Sequence, residues 1–187
     1  TGDTQIFSRT ALYNSNASAF YRHWMRDMRN GQDSNGAFRD IAPFCKFWGE
    51  GNSAWGDAGV IVPWTVYDMT GDHSILEENY EAMQKWMQFC AAQGSDGFHY
   101  NGAGTSFGDW LAYEAIDARY ISVCYYAYVT LLMQKTATAL STCPNDSYAQ
   151  DAKAYKQLYD DIRAEFQSRY IDSTSGLLKT STQTGYL

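Results

Sequence analysis

The sequence predicts an all-α protein in which helical hairpins form two layers. None of the 187 residues falls in a stretch typical of consecutive strands, and only 3 prolines interrupt the chain. The periodic segments are helical and of two kinds, apolar on one side or apolar nearly all round. The two kinds alternate along the chain, which is the pattern expected of sheltered inner helices with outer helices packed over them.

The first two helical segments differ in how much of their surface is apolar. Residues 5–29 are intermediate, with Phe20, Trp24 and Met28 on one apolar line and Arg22, Arg26 and Arg29 outside it. Residues 58–69 carry no charge before Asp68. Because a helix that is apolar on every side must be covered on every side, we expect 58–69 to be an inner helix.

The remaining segments continue the alternation. Gly71 and Asp72 are expected to end one helix and cap the next, which makes a short hairpin connection. The helix that follows has one apolar stripe, at Leu76, Tyr80, Met83, Met87 and Cys90. Residues 121–133 carry no charge and predict a second buried helix. A second striped helix comes after it, with apolar residues at Tyr148, Ala152, Tyr155, Tyr159, Ile162 and Phe166.

A Gly-Asp pair stands at the start of each predicted inner segment. The three aspartates are Asp3, Asp57 and Asp109, which are 54 and 52 residues apart. The second and third pairs directly follow an aromatic residue, Trp55 and Phe107. A near-constant period of this length indicates a repeating supersecondary unit, here one helical hairpin with its loops.

Two interpretations of the Gly-Asp pairs remain open, and they do not exclude each other. Aspartate is a preferred N-cap, because it accepts a backbone N–H of the first turn and offsets the helix dipole. In a barrel, however, the N-terminal ends of inner helices converge on one pocket. Carboxylates there can bind sugar hydroxyls while neighbouring aromatic rings stack on the sugar face.

Other polar residues compete for a place in such a pocket. Glu50 lies in a glycine-rich loop just ahead of Trp55 and is a candidate for the same pocket. Glu114 and Asp117 are expected to be first-turn acids of the third inner helix. His99 is the one histidine expected near a site, although a lone loop histidine is more often a surface residue.

Composition and charge restrict the partners. The formal net charge is −7, and no run of Lys and Arg is present, so a nucleic-acid partner is not expected. No apolar run approaches the roughly 20 residues that a membrane span needs, so a membrane is not expected either. The 4 cysteines form no CxxC pattern, and we expect no metal or cofactor. A neutral sugar is compatible with this charge. The residues are 16% aromatic, and aromatic rings can stack on the faces of a sugar.

Three blocks of the chain carry a resemblance to a known family. They are TGDTQIFSRTA, SAWGDAGVIVPWTVYDMTGDHSILEENYEAMQKWM and FGDWLA, all before Tyr113. With them the chain resembles the catalytic domain of the bacterial α-L-rhamnosidases, glycoside hydrolase family 78. The middle block is long and specific. Beyond Tyr113 the resemblance is to a general helical hairpin, and the C-terminal TQTGYL is similar to the opening of a further inner helix.

The resemblance implies a fold and an activity. It implies an (α/α)6 barrel, of which residues 1–187 would be one part of the catalytic domain. It also implies hydrolysis, with inversion, of terminal α-L-rhamnosyl bonds in glycans or glycosides. Inversion needs a general acid and a general base about 6.5–9.5 Å apart. In the family the acid precedes the pair equivalent to Gly2-Asp3 and the base lies on a later helix, so both are expected outside the chain.

The resemblance also implies site residues. Asp3 matches an aspartate expected to hold rhamnose hydroxyls, and Trp55 and Trp110 match aromatic residues that line the same subsite. Asp57 and Asp109 are added because they repeat the position of Asp3. Two other interpretations stay open: another (α/α)-barrel glycosidase or phosphorylase, and a non-catalytic helical sugar-binding or interaction domain. The middle block favours the rhamnosidase.

Overall fold

The computed structural model describes residues 1–45, 49–95, 107–142 and 146–186. Over these residues the chain is helical and has no strand, and two isolated bridges join Arg39 to Glu50 and Ile171 to Leu178. The helices, in chain order, are α1 (Gly2–Asn14), α2 (Ser18–Asn30), α3 (Ala58–Thr70), α4 (Ser74–Ala92), α5 (Ala118–Leu140), α6 (Asp146–Tyr170) and α7 (Gln183–Tyr186). None of the helices within these ranges is long and apolar enough to cross a membrane.

The helices form the two predicted layers. Helix α3 packs against α1 on one side and α5 on the other, which makes these three the inner layer. Helices α2 and α4 pack over α3, and α6 packs over α5, which makes these three the outer layer. The connection between α3 and α4 is the predicted hairpin turn: Gly71 ends α3 in the left-handed conformation, and the Asp72 carboxylate accepts the backbone N–H of Ser74 at 3.0 Å.

The hydrophobic core lies between the two layers. Its largest fully buried side chains come from both layers and from the long loop between α2 and α3: Met25, Met28, Phe38, Ile75, Leu76, Met83, Trp86, Tyr126, Met133, Leu140 and Ile162. Phe38 reaches the core from that loop and packs against the backbone of Gly59 in α3, where a Cβ atom would lie 2.0 Å from the Phe38 ring. Phe38 therefore anchors its part of the loop in the core.

The expectation of one helical segment over residues 5–29 was wrong. The chain forms two helices there, α1 in the inner layer and α2 in the outer layer, with Ser15 between them in an extended conformation. The Ser15 hydroxyl donates to the carbonyl of Ala11 at 2.9 Å. Serine and asparagine side chains bond nearby backbone groups in place of the helical pattern, and the break falls at Asn14-Ser15-Asn16. The intermediate composition of 5–29 is thus an average over two helices.

The third inner helix also begins later than the Gly-Asp repeat predicted. Gly108 and Leu111 have left-handed backbone conformations, with φ of 58° and 63°, which a right-handed helix excludes. Helix α5 begins at Ala118, where the Asp117 carboxylate accepts the backbone N–H of Arg119 at 2.9 Å. Asp117 is therefore the cap, and Glu114 lies in the loop before the helix rather than in its first turn.

The C-terminal residues form a short helix, α7, against α5. The Tyr120 hydroxyl of α5 donates to the carbonyl of Gly185 at 2.6 Å. This contact brings Thr184 to the end of the inner layer where α1 and α3 begin, next to the loop that precedes α5.

Candidate functional site

A cavity of about 410 Å³ lies where the first turns of the inner helices meet. It is bounded by the start of α1, the turn before α3, the loop before α5, the first turns of α5, and α7. The lining residues are Gly2, Asp3, Gln5, Ile6, Ala54, Trp55, Gly108, Asp109, Trp110, Ile121, Tyr125 and Thr184. Four of the five predicted site residues, Asp3, Trp55, Asp109 and Trp110, are thus brought together from three separate parts of the chain.

This cavity, called the outer cavity below, adjoins a second one that follows the inner helices. A second cavity of about 570 Å³ shares Gln5, Ile6, Ile121, Tyr125 and Thr184 with the first and runs along α1, α3 and α5. Aromatic and aliphatic side chains dominate its walls. A ligand in the outer cavity would therefore have an apolar surface next to it.

Aromatic rings form one wall of the outer cavity. The Trp55 ring lies against Phe107, with centroids 4.5 Å apart and planes inclined by 45°. Phe107 in turn meets Trp110 edge to face, at 5.6 Å and 90°. Trp55 is half-buried, whereas Trp110 is 62% exposed. Phe107 thus joins the two predicted tryptophans, although it was noted in the sequence only as the residue before a Gly-Asp pair.

Two carboxylates face this aromatic wall. Asp3 lies in the first turn of α1 with its side chain exposed, where the helix dipole stabilises a negative charge. Asp109 is half-buried, and its carboxylate accepts a hydrogen bond from the Thr184 hydroxyl. The cavity therefore combines acceptors for hydroxyl groups with rings on which an apolar face can stack.

Asp57 does not line the cavity, so its expected place in the site was wrong. The residue is 1% exposed, and both of its carboxylate oxygens are bonded inside the protein. One accepts the backbone N–H of Ala54 at 2.7 Å, and the other accepts the indole N–H of Trp86 at 3.0 Å. Burial raises the pKa of Asp57 to about 6, although these two hydrogen bonds act to lower it.

The buried position of Asp57 predicts a pH-dependent stability. The pKa rises from an ordinary 3.8 to about 6 on folding, so the folded chain retains this proton over a window in which the unfolded chain loses it. The contribution of protonated Asp57 to the free energy of unfolding is therefore complete below about pH 4, and it is lost as the pH rises through 6. Since one pKa unit corresponds to 1.36 kcal/mol, the loss is about 3 kcal/mol at most.

The Asp57→Asn variant isolates this effect. Urea denaturation of both forms between pH 3.5 and 7.5 should show that wild type loses stability relative to the variant across this window. A difference in unfolding free energy that stays constant with pH would contradict the assignment.

Glu50 also lies outside the cavity, contrary to the sequence expectation. Its carboxylate pairs with the Arg39 guanidinium, which also binds Asp33 at 2.8 Å. The same guanidinium lies over the Phe44 ring at 4.6 Å from the centroid. Glu50 therefore fastens the loop between α2 and α3. Glu114 borders a neighbouring cavity of about 300 Å³, and His99 lies outside the described residues.

Gln5 is the main cavity residue that sequence reasoning missed. It lies one helical turn after the start of α1 and is buried, and its side-chain N–H donates to the carbonyl of Ala54. Its side-chain oxygen is buried, and none of the described residues gives it a hydrogen-bond partner. A glutamine in a helix has no distinctive pattern, and its spacing from Asp3 was the only indication available.

Two layers of helical hairpins, with an aromatic and acidic cavity where the inner helices begin, are the features of a hairpin-barrel glycosidase domain. The model of the bacterial α-L-rhamnosidase six-hairpin glycosidase domain matches residues 1–187. The chain therefore belongs to this family, and its fold is part of an (α/α)6 barrel.

Individual relatives agree with this assignment. Over the whole chain, 35% of residues are identical to an α-L-rhamnosidase of Streptomyces avermitilis and 32% to one of Formosa agariphila. The chain covers 17% and 20% of those two proteins, so it spans about a fifth of their length.

Solved structures share the fold. The crystal structure of the Streptomyces avermitilis α-L-rhamnosidase complexed with L-rhamnose matches the whole chain with a TM-score of 0.86 and 32% identity, and the chain covers 17% of it. The α-L-rhamnosidase of Aspergillus terreus matches 99% of the chain with a TM-score of 0.79 and 28% identity, and the chain covers 22% of it.

Proposed function

We propose that the chain is one part of the catalytic (α/α)6-barrel domain of a longer α-L-rhamnosidase, and that it supplies part of the sugar-binding site. The observation that carries the proposal is the cavity where Asp3, Trp55, Asp109 and Trp110 meet. Membership of the rhamnosidase family supports rhamnose as the sugar, as does the relative complexed with L-rhamnose. The substrate is a rhamnose-containing glycan or glycoside.

Each cavity residue has a role that its surroundings support. The exposed Asp3 carboxylate accepts hydrogen bonds from sugar hydroxyls. Trp55 and Trp110 offer ring faces to the C–H groups of the sugar, including the apolar methyl group of rhamnose. Asp109, steadied by the Thr184 hydroxyl, accepts from a further hydroxyl. Asp57 supports the turn before α3 and does not touch the sugar.

The chemical step is proposed to use groups outside this chain. Inversion requires an acid that protonates the leaving oxygen and a base that activates water on the opposite face of the sugar. Among the described residues, Asp3 and Asp109 are the carboxylates that line the cavity, and both are assigned to sugar binding. Glu50 is paired with Arg39. We propose, as the resemblance to the family implies, that the acid and base come from other segments of the longer protein.

The experiment compares the 187-residue chain with the longer protein on an aryl α-L-rhamnoside. The longer protein should hydrolyse it and release β-L-rhamnose first, which proton NMR of the anomeric signal detects. The chain alone should show no turnover, because the proposal places the acid and base outside it.

Two outcomes would contradict the proposal. Turnover by the chain alone that disappears in the Asp3→Asn or Glu50→Gln variant would place the catalytic groups inside it. Absence of rhamnoside hydrolysis by the longer protein would favour another glycosidase or a non-catalytic sugar-binding domain.

A further inference from the structure

The turn that carries Trp55 into the cavity has an unusual backbone. Ala54, the residue before Trp55, has φ of 68°, a left-handed conformation that residues with a Cβ rarely adopt. Such a conformation persists only where the surrounding structure holds it, and it is most frequent at functional sites.

Two side chains form hydrogen bonds with the backbone of Ala54, one with its N–H and one with its carbonyl. The Asp57 carboxylate accepts the Ala54 N–H at 2.7 Å, and the Gln5 amide donates to the Ala54 carbonyl. Asp57 reaches back three residues to make this bond. It stands at the N-cap position of α3, yet its side chain makes no cap hydrogen bond with the first turn. Its hydrogen bonds thus serve the turn that precedes the helix.

Asp57 is itself held by Trp86 of the outer layer. The indole N–H donates to the second carboxylate oxygen at 3.0 Å. Gly56 allows this approach, because a Cβ atom there would lie 2.4 Å from the Trp86 ring. The second Gly-Asp pair is therefore explained by packing: glycine admits the tryptophan ring, and aspartate receives its N–H.

Trp55 has little freedom on its other sides. A Cβ atom at Gly2 would lie 3.4 Å from the Trp55 ring, so the start of α1 passes in close contact with it. Phe107 lies on Trp55 at 4.5 Å between centroids. A change in the backbone conformation of Ala54 would disturb these contacts and move the Trp55 ring relative to Asp3, which follows Gly2 on α1.

We infer that Asp57 and Gln5 are positioning residues that fix the Trp55 ring in the cavity by holding both polar groups of Ala54. The inference rests on the proposed function for its sugar, L-rhamnose. Asp57 acts on that sugar only through Trp55, which gives the inference a specific consequence. Removing the Asp57 carboxylate should lower the affinity for L-rhamnose in the protein that has Trp55, and should not change it in a protein without Trp55.

The test is a double-mutant cycle in the longer protein, read as L-rhamnose affinity by isothermal titration calorimetry. Asparagine at position 57 keeps one acceptor but turns an amide N–H toward Ala54 or toward the Trp86 indole, both of which are donors. In the protein that retains Trp55, we expect Asp57→Asn to weaken binding about tenfold. In a Trp55→Ala background the loss should be less than about twofold, because the effects of substitutions that act through one contact are not additive. Equal losses in the two backgrounds, or no loss in either, would overturn the inference.

A matched control and a second variant keep the test decisive. Asp72→Asn changes another aspartate near the start of an outer helix, bonded to Ser74 and outside the cavity, and should leave affinity within about twofold. If Asp57→Asn does not fold, Gln5→Met is used instead. It removes the hydrogen bond to the Ala54 carbonyl, and its effect on L-rhamnose affinity should depend on Trp55 in the same way.

A spectroscopic measurement separates this inference from the proposed function. In the longer protein labelled with 5-fluorotryptophan, the ¹⁹F signal of Trp55 is assigned by its loss in Trp55→Phe. Asp57→Asn should shift or broaden that signal without any sugar present, while Asp72→Asn should not. If the longer protein fails to bind L-rhamnose, the proposed function fails. An unchanged Trp55 signal in Asp57→Asn would overturn the positioning role in either case.

Discussion

Replacing Asp3 by asparagine is expected to lower kcat/KM of the longer protein toward an aryl α-L-rhamnoside by about 100-fold. A hydrogen bond to a charged group contributes roughly 1.5–3 kcal/mol, and each 1.4 kcal/mol is a factor of ten in rate. Asparagine occupies the same volume but loses the charge and presents an amide donor where the carboxylate has an acceptor. The exposed position of Asp3 means that the substitution leaves the core intact.

The control for this prediction is Asp172→Asn. Asp172 is a half-buried aspartate after α6 that binds the backbone N–H groups of Thr174 and Ser175, and it does not line the cavity that contains Asp3. Its substitution should leave kcat/KM within about twofold of wild type, as expected for surface changes. Thermal denaturation of both variants establishes that each is folded. An Asp3→Asn protein as active as the Asp172→Asn control would remove Asp3 from the sugar-binding site.

Replacing Trp86 by alanine should lower the free energy of unfolding of the chain by about 3–5 kcal/mol, the usual cost of removing a large buried aromatic side chain. Trp86 is fully buried between the layers, and its ring stacks on Phe89 at 5.4 Å and packs against Phe38 at 5.8 Å. The substitution also leaves one oxygen of the buried Asp57 carboxylate without a donor. A loss of this size is a large fraction of the stability of an ordinary domain.

Urea denaturation followed by far-UV circular dichroism measures this effect. Trp110→Ala is the matched control, because it removes the same side chain from a position that is 62% exposed, and its cost should stay within about 0.5 kcal/mol. Trp86→Phe keeps most of the packing but removes the indole N–H. Its loss in free energy of unfolding should therefore lie between the losses of Trp86→Ala and Trp110→Ala. Equal losses for Trp86→Ala and Trp110→Ala would contradict the placement of Trp86 in the core.

The helices could be predicted from the sequence where their composition reflects the layer they occupy. Seven of the 13 residues in the uncharged run at 121–133 are buried where α3, α4 and α6 cover α5, as the composition predicts, but Tyr128 in the same run is 45% exposed. The break at Ser15 was missed because apolar residues on either side of it continue at helical spacing. Turn-forming residues at 14–16 were the better guide, since their side chains compete for the backbone.

The site could be predicted only in part, because three identical Gly-Asp pairs have three different environments. Asp3 is exposed in a first turn, Asp57 is enclosed by Ala54 and Trp86, and Asp109 is bonded to Thr184 from a loop. The partner of Asp57 lies 29 residues along the chain and that of Asp109 lies 75. Local pattern carries no information on such distant partners, so the period predicted the repeat but not the role of each member.

The central claim is that Asp3, Trp55, Asp109 and Trp110 form part of a rhamnose-binding site. A crystal structure of the longer protein soaked with L-rhamnose tests it most directly. We expect the sugar in this cavity, with a hydroxyl within hydrogen-bond distance of the Asp3 carboxylate and a ring face against Trp55 or Trp110. L-rhamnose bound in a different part of the barrel, with these four residues untouched, would contradict it.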